Sequence, residues 1–73
     1  MCEVIYDKNL STEDQERRCY VVETDQSFIA HVVAGRIVHM KIYKNETNNL
    51  QEAAKWALQK LEDAIKILEE INN

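Results

Sequence analysis

Two cysteines, Cys2 and Cys19, and two histidines, His31 and His39, are the side chains of this 73-residue chain best suited to hold a metal ion or act as nucleophile and base. A tetrahedral zinc site can use such a set, with thiolate and imidazole ligands in closely spaced pairs. Here the cysteines are seventeen residues apart with no C-x-x-C knuckle, and the strand pattern sends His31 and His39 to opposite faces of a sheet, so no metal is expected. Nucleophilic catalysis needs Cys or Ser within hydrogen-bond reach of a base. Cys19 and His39 share a predicted face but stand two strand spacings apart, about 10 Å, so Cys19 reads as structural. Glu23 with Asp25, and Glu3 with Asp7, are paired carboxylates at turn and edge positions, where solvation keeps both ordinary acids. One glycine, Gly35, cannot build a phosphate-cradling loop. The chain is expected to be no enzyme and to take no cofactor.

The other residues with functional potential are apolar, aromatic or cationic, and their meaning depends on the elements that carry them. Alternating β-branched and aromatic residues predict strands at about 2–6, 17–24, 27–34 and 36–44. Tight turns are expected at Thr24-Asp25-Gln26-Ser27 and at Val33-Ala34-Gly35-Arg36. Residues 7–16 read as loop, in which Ser11 with Asp14, or Thr12 with Gln15, offers the spacing to cap one helical turn. Leu50, Ala54, Ala57, Leu61, Ala64, Ile65 and Leu68 recur at steps of three and four, which predicts an amphipathic helix over about 49–71. Asn49 and Glu52 have the spacing of a capping box at its start. The expected fold is α+β: an antiparallel meander of three to four strands with one long C-terminal helix on one face, as a single domain spanning residues 1–73.

Two-residue turns set the register and so the facing of every strand side chain. One face carries Tyr20, Val22, Ile29, His31, Val33, Val38, Met40 and Ile42, and, being the more apolar, is expected beneath the helix. His31 is then a helix-side residue paired with a neighbour such as Tyr20. The other face carries Arg17, Cys19, Val21, Glu23, Phe28, Ala30, Val32, Ile37, His39, Lys41 and Tyr43, and is expected to stay open.

Trp56 and Ile67 lie on a flank of the helix beside its main stripe, eleven residues apart. A helix of some 23 residues is about 35 Å long against about 26 Å for an eight-residue strand, so Ile67, Leu68 and Ile71 are expected to overhang the sheet. These residues, with Trp56 and the apolar middle of the open face at Cys19, Val21, Val32 and Ile37, are the expected partner or dimer interface. Arg17, Phe28, His39, Lys41 and Tyr43 form the alternative site, a sheet face on which single-stranded nucleic acid stacks.

Charge weighs between these readings. Nine Lys and Arg against thirteen Asp and Glu give a net charge of −4, which opposes a general attraction to nucleic acid or anionic membrane. Neither a signal peptide nor a membrane span is apparent, so a cytoplasmic protein with reduced thiols is expected, and the glycosylation pattern Asn45-Glu46-Thr47 has little meaning there. Meandering strands followed by a long acidic helix resemble, in topology alone, small antitoxin-type domains and some phage-encoded inhibitors. No motif matches residue for residue, so no residue role follows. The function expected is a small acidic protein-binding module, a homodimer that inhibits or neutralises a heterologous partner, as accessory proteins of phages and mobile elements do. A single-strand nucleic-acid binder is the alternative.

Overall fold

A computed structural model describes residues 2–71. Four strands, β1 (Glu3–Asn9), β2 (Arg17–Glu23), β3 (Ser27–Ala34) and β4 (Ile37–Lys44), precede one helix, α1 (Asn49–Ile71). Neighbours in sequence are neighbours in the sheet, in the order β1-β2-β3-β4 and antiparallel throughout. The expected α+β meander is therefore present.

The hairpins form where the turn residues dictate. Gly35, at φ 61°, takes the first central position of the β3–β4 turn, where a side chain would be strained. At the β2–β3 turn the Thr24 amide donates to the Ser27 carbonyl at 2.8 Å, and the Ser27 amide donates back to Thr24 Oγ1 at 3.0 Å. The Asn45 side-chain amide closes this end of the sheet by donating to the Thr24 carbonyl at 3.1 Å. The asparagine of the glycosylation pattern is thus a structural fastener.

Two local expectations are corrected. β1 runs on to Asn9, and no helical turn follows it. An irregularity between Val4 and Tyr6 breaks the alternation there, which hides the strand from a period-two reading. The connection to β2 is held by extended-chain bonds, from the Leu10 amide to the Arg17 carbonyl at 2.7 Å and from the Arg17 amide to Ser11 Oγ at 2.9 Å. At the helix start no capping box forms, because Asn49 Nδ2 turns back to the Lys44 carbonyl at 2.9 Å. The first intrahelical bond runs from the Glu52 amide to the Asn48 carbonyl, so Asn48, at φ 75°, takes the cap position. Asparagine tolerates that left-handed geometry better than most residues.

The main correction concerns which face α1 covers. Cross-strand partners match the expected register, with Cys19 opposite Val32, Val21 opposite Ala30 and Val32 opposite His39. The helix, however, lies on the face expected to be open. Its Ala53, Ala57, Leu61 and Ala64 form one buried cluster with Cys19, Val21, Phe28, Ala30, Val32 and Ala34. Size complementarity explains the choice. Alanines on the helix facing Ala30, Ala34 and Cys19 let the backbones approach closely, whereas Tyr20, Ile29, Met40 and Ile42 on the other face would hold the helix off. Leu50, expected in the helix core stripe, is 37% exposed, and Ala53 takes its place.

The helix crosses the sheet diagonally. Its first half runs beside β4, where Trp56 meets Lys41, and its far end reaches the start of β2, where Glu69 lies 3.8 Å from Arg17. This crossing covers Leu68, which is half-buried against the core, and leaves Ile67 and Ile71 exposed.

Candidate binding surfaces

The uncovered sheet face is built in cross-strand rows, because opposite residues of an antiparallel pair project to the same side. One row runs Val4, Val22, Ile29, Ile42 across all four strands. The next runs Asp7, Tyr20, His31, Met40, and the third Asn9, Arg18, Val33, Val38. Central positions are half-buried by their neighbours. The outer ones are open: Val4 is 51% exposed, Val38 65%, Met40 58% and Ile42 61%.

Polar groups occupy one corner of this face. Arg18 donates to both oxygens of Asp7, at 3.0 and 2.9 Å, and its guanidinium lies 5.1 Å from the Tyr20 ring centroid. Tyr20 stacks on His31 with centroids 4.8 Å apart and an interplanar angle of 13°. The expected Tyr20–His31 pairing thus exists, on the side away from the helix. Four strands at about 4.8 Å spacing and eight residues at about 3.3 Å make a face of about 500 Å². The Tyr20–His31 stack lies on its two central strands, Ser27 and Lys44 lie at one end, and Val4, Val22, Ile29, Val33, Val38, Met40 and Ile42 make the rest of it aliphatic.

The residues expected to form an open interface or a nucleic-acid face are dispersed by the position of the helix. Cys19, Val21 and Val32 are fully buried beneath α1, and Ile37 is half-buried against the same core. Phe28 is 5% exposed, so its ring is closed to a stacking base. Arg17 is engaged at the far end by Gln15 Oε1 at 2.8 Å and by Glu69. His39 is exposed on β4. Only Lys41 and Tyr43 converge, and they do so with Trp56. The Lys41 ammonium lies 5.1 Å from the Tyr43 ring centroid and 5.9 Å from that of Trp56, inside a groove of about 310 Å³ also lined by Glu52, Lys55 and Gln59. Trp56 is half-buried against its own strand β4, so its flank of the helix is partly satisfied within one chain.

The groups that could do chemistry stand apart. Cys19 and His39 both lie opposite Val32, on its two sides. Burial pushes the Cys19 thiol above its ordinary range, with Asp7 adding to the effect and Lys8 opposing it, which disfavours the nucleophilic thiolate. Tyr6 is likewise raised, first by burial and then by Cys19 and Glu62. His31 and His39 lie on opposite faces, opposite Met40 and Val32 respectively. A second cavity of about 310 Å³ is lined by Glu3, Glu23, Thr24, Asp25 and Asn45 at the end of the sheet. Among the described residues no helix is long and apolar enough to cross a membrane.

The signal that could have located the open face was the matching of small residues. The sheet alanines share parity with Cys19 and Val21, and the helix carries Ala53, Ala57 and Ala64 at helical spacing. Comparison with protein-family models, curated proteins and solved structures found no match.

Proposed function

We propose that this chain is a non-enzymatic protein-binding domain that seats its uncovered sheet face on another protein and inhibits or neutralises that protein by occupying its surface. One observation carries the reading: Val4, Val38, Met40 and Ile42 lie on one face at 51%, 65%, 58% and 61% exposure, with no element of the described residues above them. These side chains lie on a sheet face of about 500 Å² in all, and an exposed apolar patch of this kind marks an interaction site. The partner it fits is an apolar, slightly concave protein surface with a polar rim where the Asp7–Arg18 pair falls.

The test compares capture by the unaltered chain, by Val4→Lys on the open face and by Lys55→Glu on the helix groove. The expected result is a stoichiometric protein retained by the first and third and lost from Val4→Lys. Equal retention by all three, or no stoichiometric protein at all, would overturn the proposal.

A second reading, single-stranded nucleic acid, is supported by the groove alone, where Tyr43, Trp56, Lys41 and Lys55 come together beside Glu52. It predicts that an oligonucleotide at low salt quenches the fluorescence of Trp56 and that Tyr43→Ala weakens the effect. An unchanged spectrum ends it.

A further inference from the structure

We infer that β4 is the pairing edge for a second copy of this chain, which joins two sheets into one of eight strands with a two-fold axis at Met40. The two edges of the sheet differ. β1 has an irregularity between Val4 and Tyr6, a feature by which natural sheets block edge-to-edge pairing, while both edges carry charge, β1 at Glu3, Asp7 and Lys8 and β4 at Lys41 and Lys44. β4 has an unbroken register of eight residues against β3, and five consecutive residues, Val38 to Ile42, are exposed.

The backbone of β4 is directed for pairing. In an antiparallel ladder alternate residues bond to the neighbour and the others point their N–H and C=O away. The Asn45 amide donates to the Gln26 carbonyl at 3.0 Å, which extends the β3–β4 ladder and sets its phase. Counting back by twos, Tyr43, Lys41, His39 and Ile37 bond to β3. Val38, Met40 and Ile42 therefore present their amides and carbonyls to the outside, and these same residues carry the exposed apolar side chains.

A second copy fits this edge in one register. Placing Met40 opposite its own copy sets Ile42 against Val38 of the other chain on the open face, and Tyr43 against Ile37 on the helix face. Lys41 then faces His39, and Lys44 falls opposite the turn residue Arg36, outside the ladder. A shift of one residue sets outward amides against inward ones. Centring the pair on Lys41 puts two ammonium groups directly opposite, which is destabilising, and centring it on His39 loses two residue pairs from the ladder. The Met40 register gives three hydrogen-bonded pairs of two bonds each, at Val38, Met40 and Ile42. Its contact is the width of one strand along about 23 Å, which is narrow for a specific interface, so the dimer is weak and concentration-dependent.

Edge pairing does not require the proposed function, although both involve Val38, Met40 and Ile42: their backbone groups form the edge and their side chains lie on the open face. It has a consequence for that face, because joining the sheets doubles its width and flanks Val38, Met40 and Ile42 on both sides.

Sedimentation of the full chain from about 1 µM to about 1 mM, with amide exchange at both ends of the range, tests the pairing. The expected result is a dimer at high concentration that Met40→Lys abolishes and Val4→Lys preserves. Amides of Val38, Met40 and Ile42 should gain about tenfold protection with concentration, while those of His39, Lys41 and Tyr43 stay protected throughout. Far-UV circular dichroism confirms that each exposed-site variant is folded. A monomer at 1 mM, or a dimer that Val4→Lys breaks and Met40→Lys spares, would overturn the inference.

Discussion

Leu61→Ala is the substitution that tests most directly where the helix lies. Leu61 is fully buried and is the largest such side chain among the described residues. The helix residues that share its cluster, Ala53, Ala57 and Ala64, have no side-chain length with which to fill the space it leaves. On the sheet side the cluster is made of stiff or small residues, Val21, Val32, Cys19 and Ala30, which relax little. The loss should therefore fall near the middle of the range for buried leucine truncations, about 3–4 kcal/mol. At about 0.05–0.15 kcal/mol per residue the whole domain has about 4–11 kcal/mol, so this one change removes a large share of it. The corresponding fall in Tm is about 15–30 °C for a domain of this size. Urea unfolding followed by Trp56 fluorescence and far-UV circular dichroism measures the loss, with Ile42→Ala as comparison. Ile42 has a similar apolar side chain but is 61% exposed, and its truncation should cost under about 1 kcal/mol. A Leu61→Ala cost under 1 kcal/mol, or an Ile42→Ala cost equal to it, would refute the assignment of the covered face.

The same packing has further measurable consequences. A disulfide-exchange reagent at pH 8 should titrate only the exposed Cys2 rapidly, with Cys19 appearing after denaturation; two fast equivalents would contradict the burial of Cys19. Stability should be fully present below pH 9 and fall above it, because the folded chain holds the Cys19 thiol and the Tyr6 phenol protonated beyond their ordinary values of 9.0 and 10.0. Melting curves from pH 7 to 11 check this, and a flat Tm across that range would count against it. Gly35→Ala should destabilise by about 1–2 kcal/mol, the cost of a left-handed residue with a side chain, since a Cβ there would also meet Gln15 Nε2 at 3.0 Å; an unchanged urea midpoint would exclude the strain. Asp7→Ala breaks an exposed ion pair, which solvent screens, and should leave the urea midpoint nearly unchanged in the same assay.

The element order and register were legible because they depend on local signals. Strand alternation set the parity of each side chain, and two-residue turns transmitted that parity from β2 to β4. The end of β1 was not legible, since a bulge interrupts the period and the polar residues Asp7 and Lys8 read as loop. The covered face was missed for a different reason. Counting apolar side chains favours the Tyr20–Ile42 face, but helix packing is decided by shape, and the alanines of α1 match the alanines of β3. Every candidate residue assigned to a face inherited that inversion, including Phe28 and Val21.

The inversion also bears on function. Had the helix covered the more apolar face, the remaining one would carry a mixed surface, with Cys19, Val21, Val32 and Ile37 in the middle and Arg17, Glu23, His39 and Lys41 around them. Instead the smaller side chains form the core, and Val4, Ile29, Val38, Met40 and Ile42 stay on the solvent side. Folding of one chain gains little from those residues, because strand formation leaves the outer ones more than half exposed. Polar β-formers such as threonine would serve the strands equally well and lower the risk of aggregation. The chain thus joins a net charge of −4 to an exposed aliphatic sheet face, the feature on which the proposed protein-binding role rests. Two of the charged groups left on it, Asp7 and Arg18, neutralise each other through two hydrogen bonds, and Lys44 stands at the far end of β4. On the proposed reading, a partner seated over the Asp7–Arg18 pair would bury two charges that already neutralise each other, and one reaching the end of β4 would need an acceptor for Lys44.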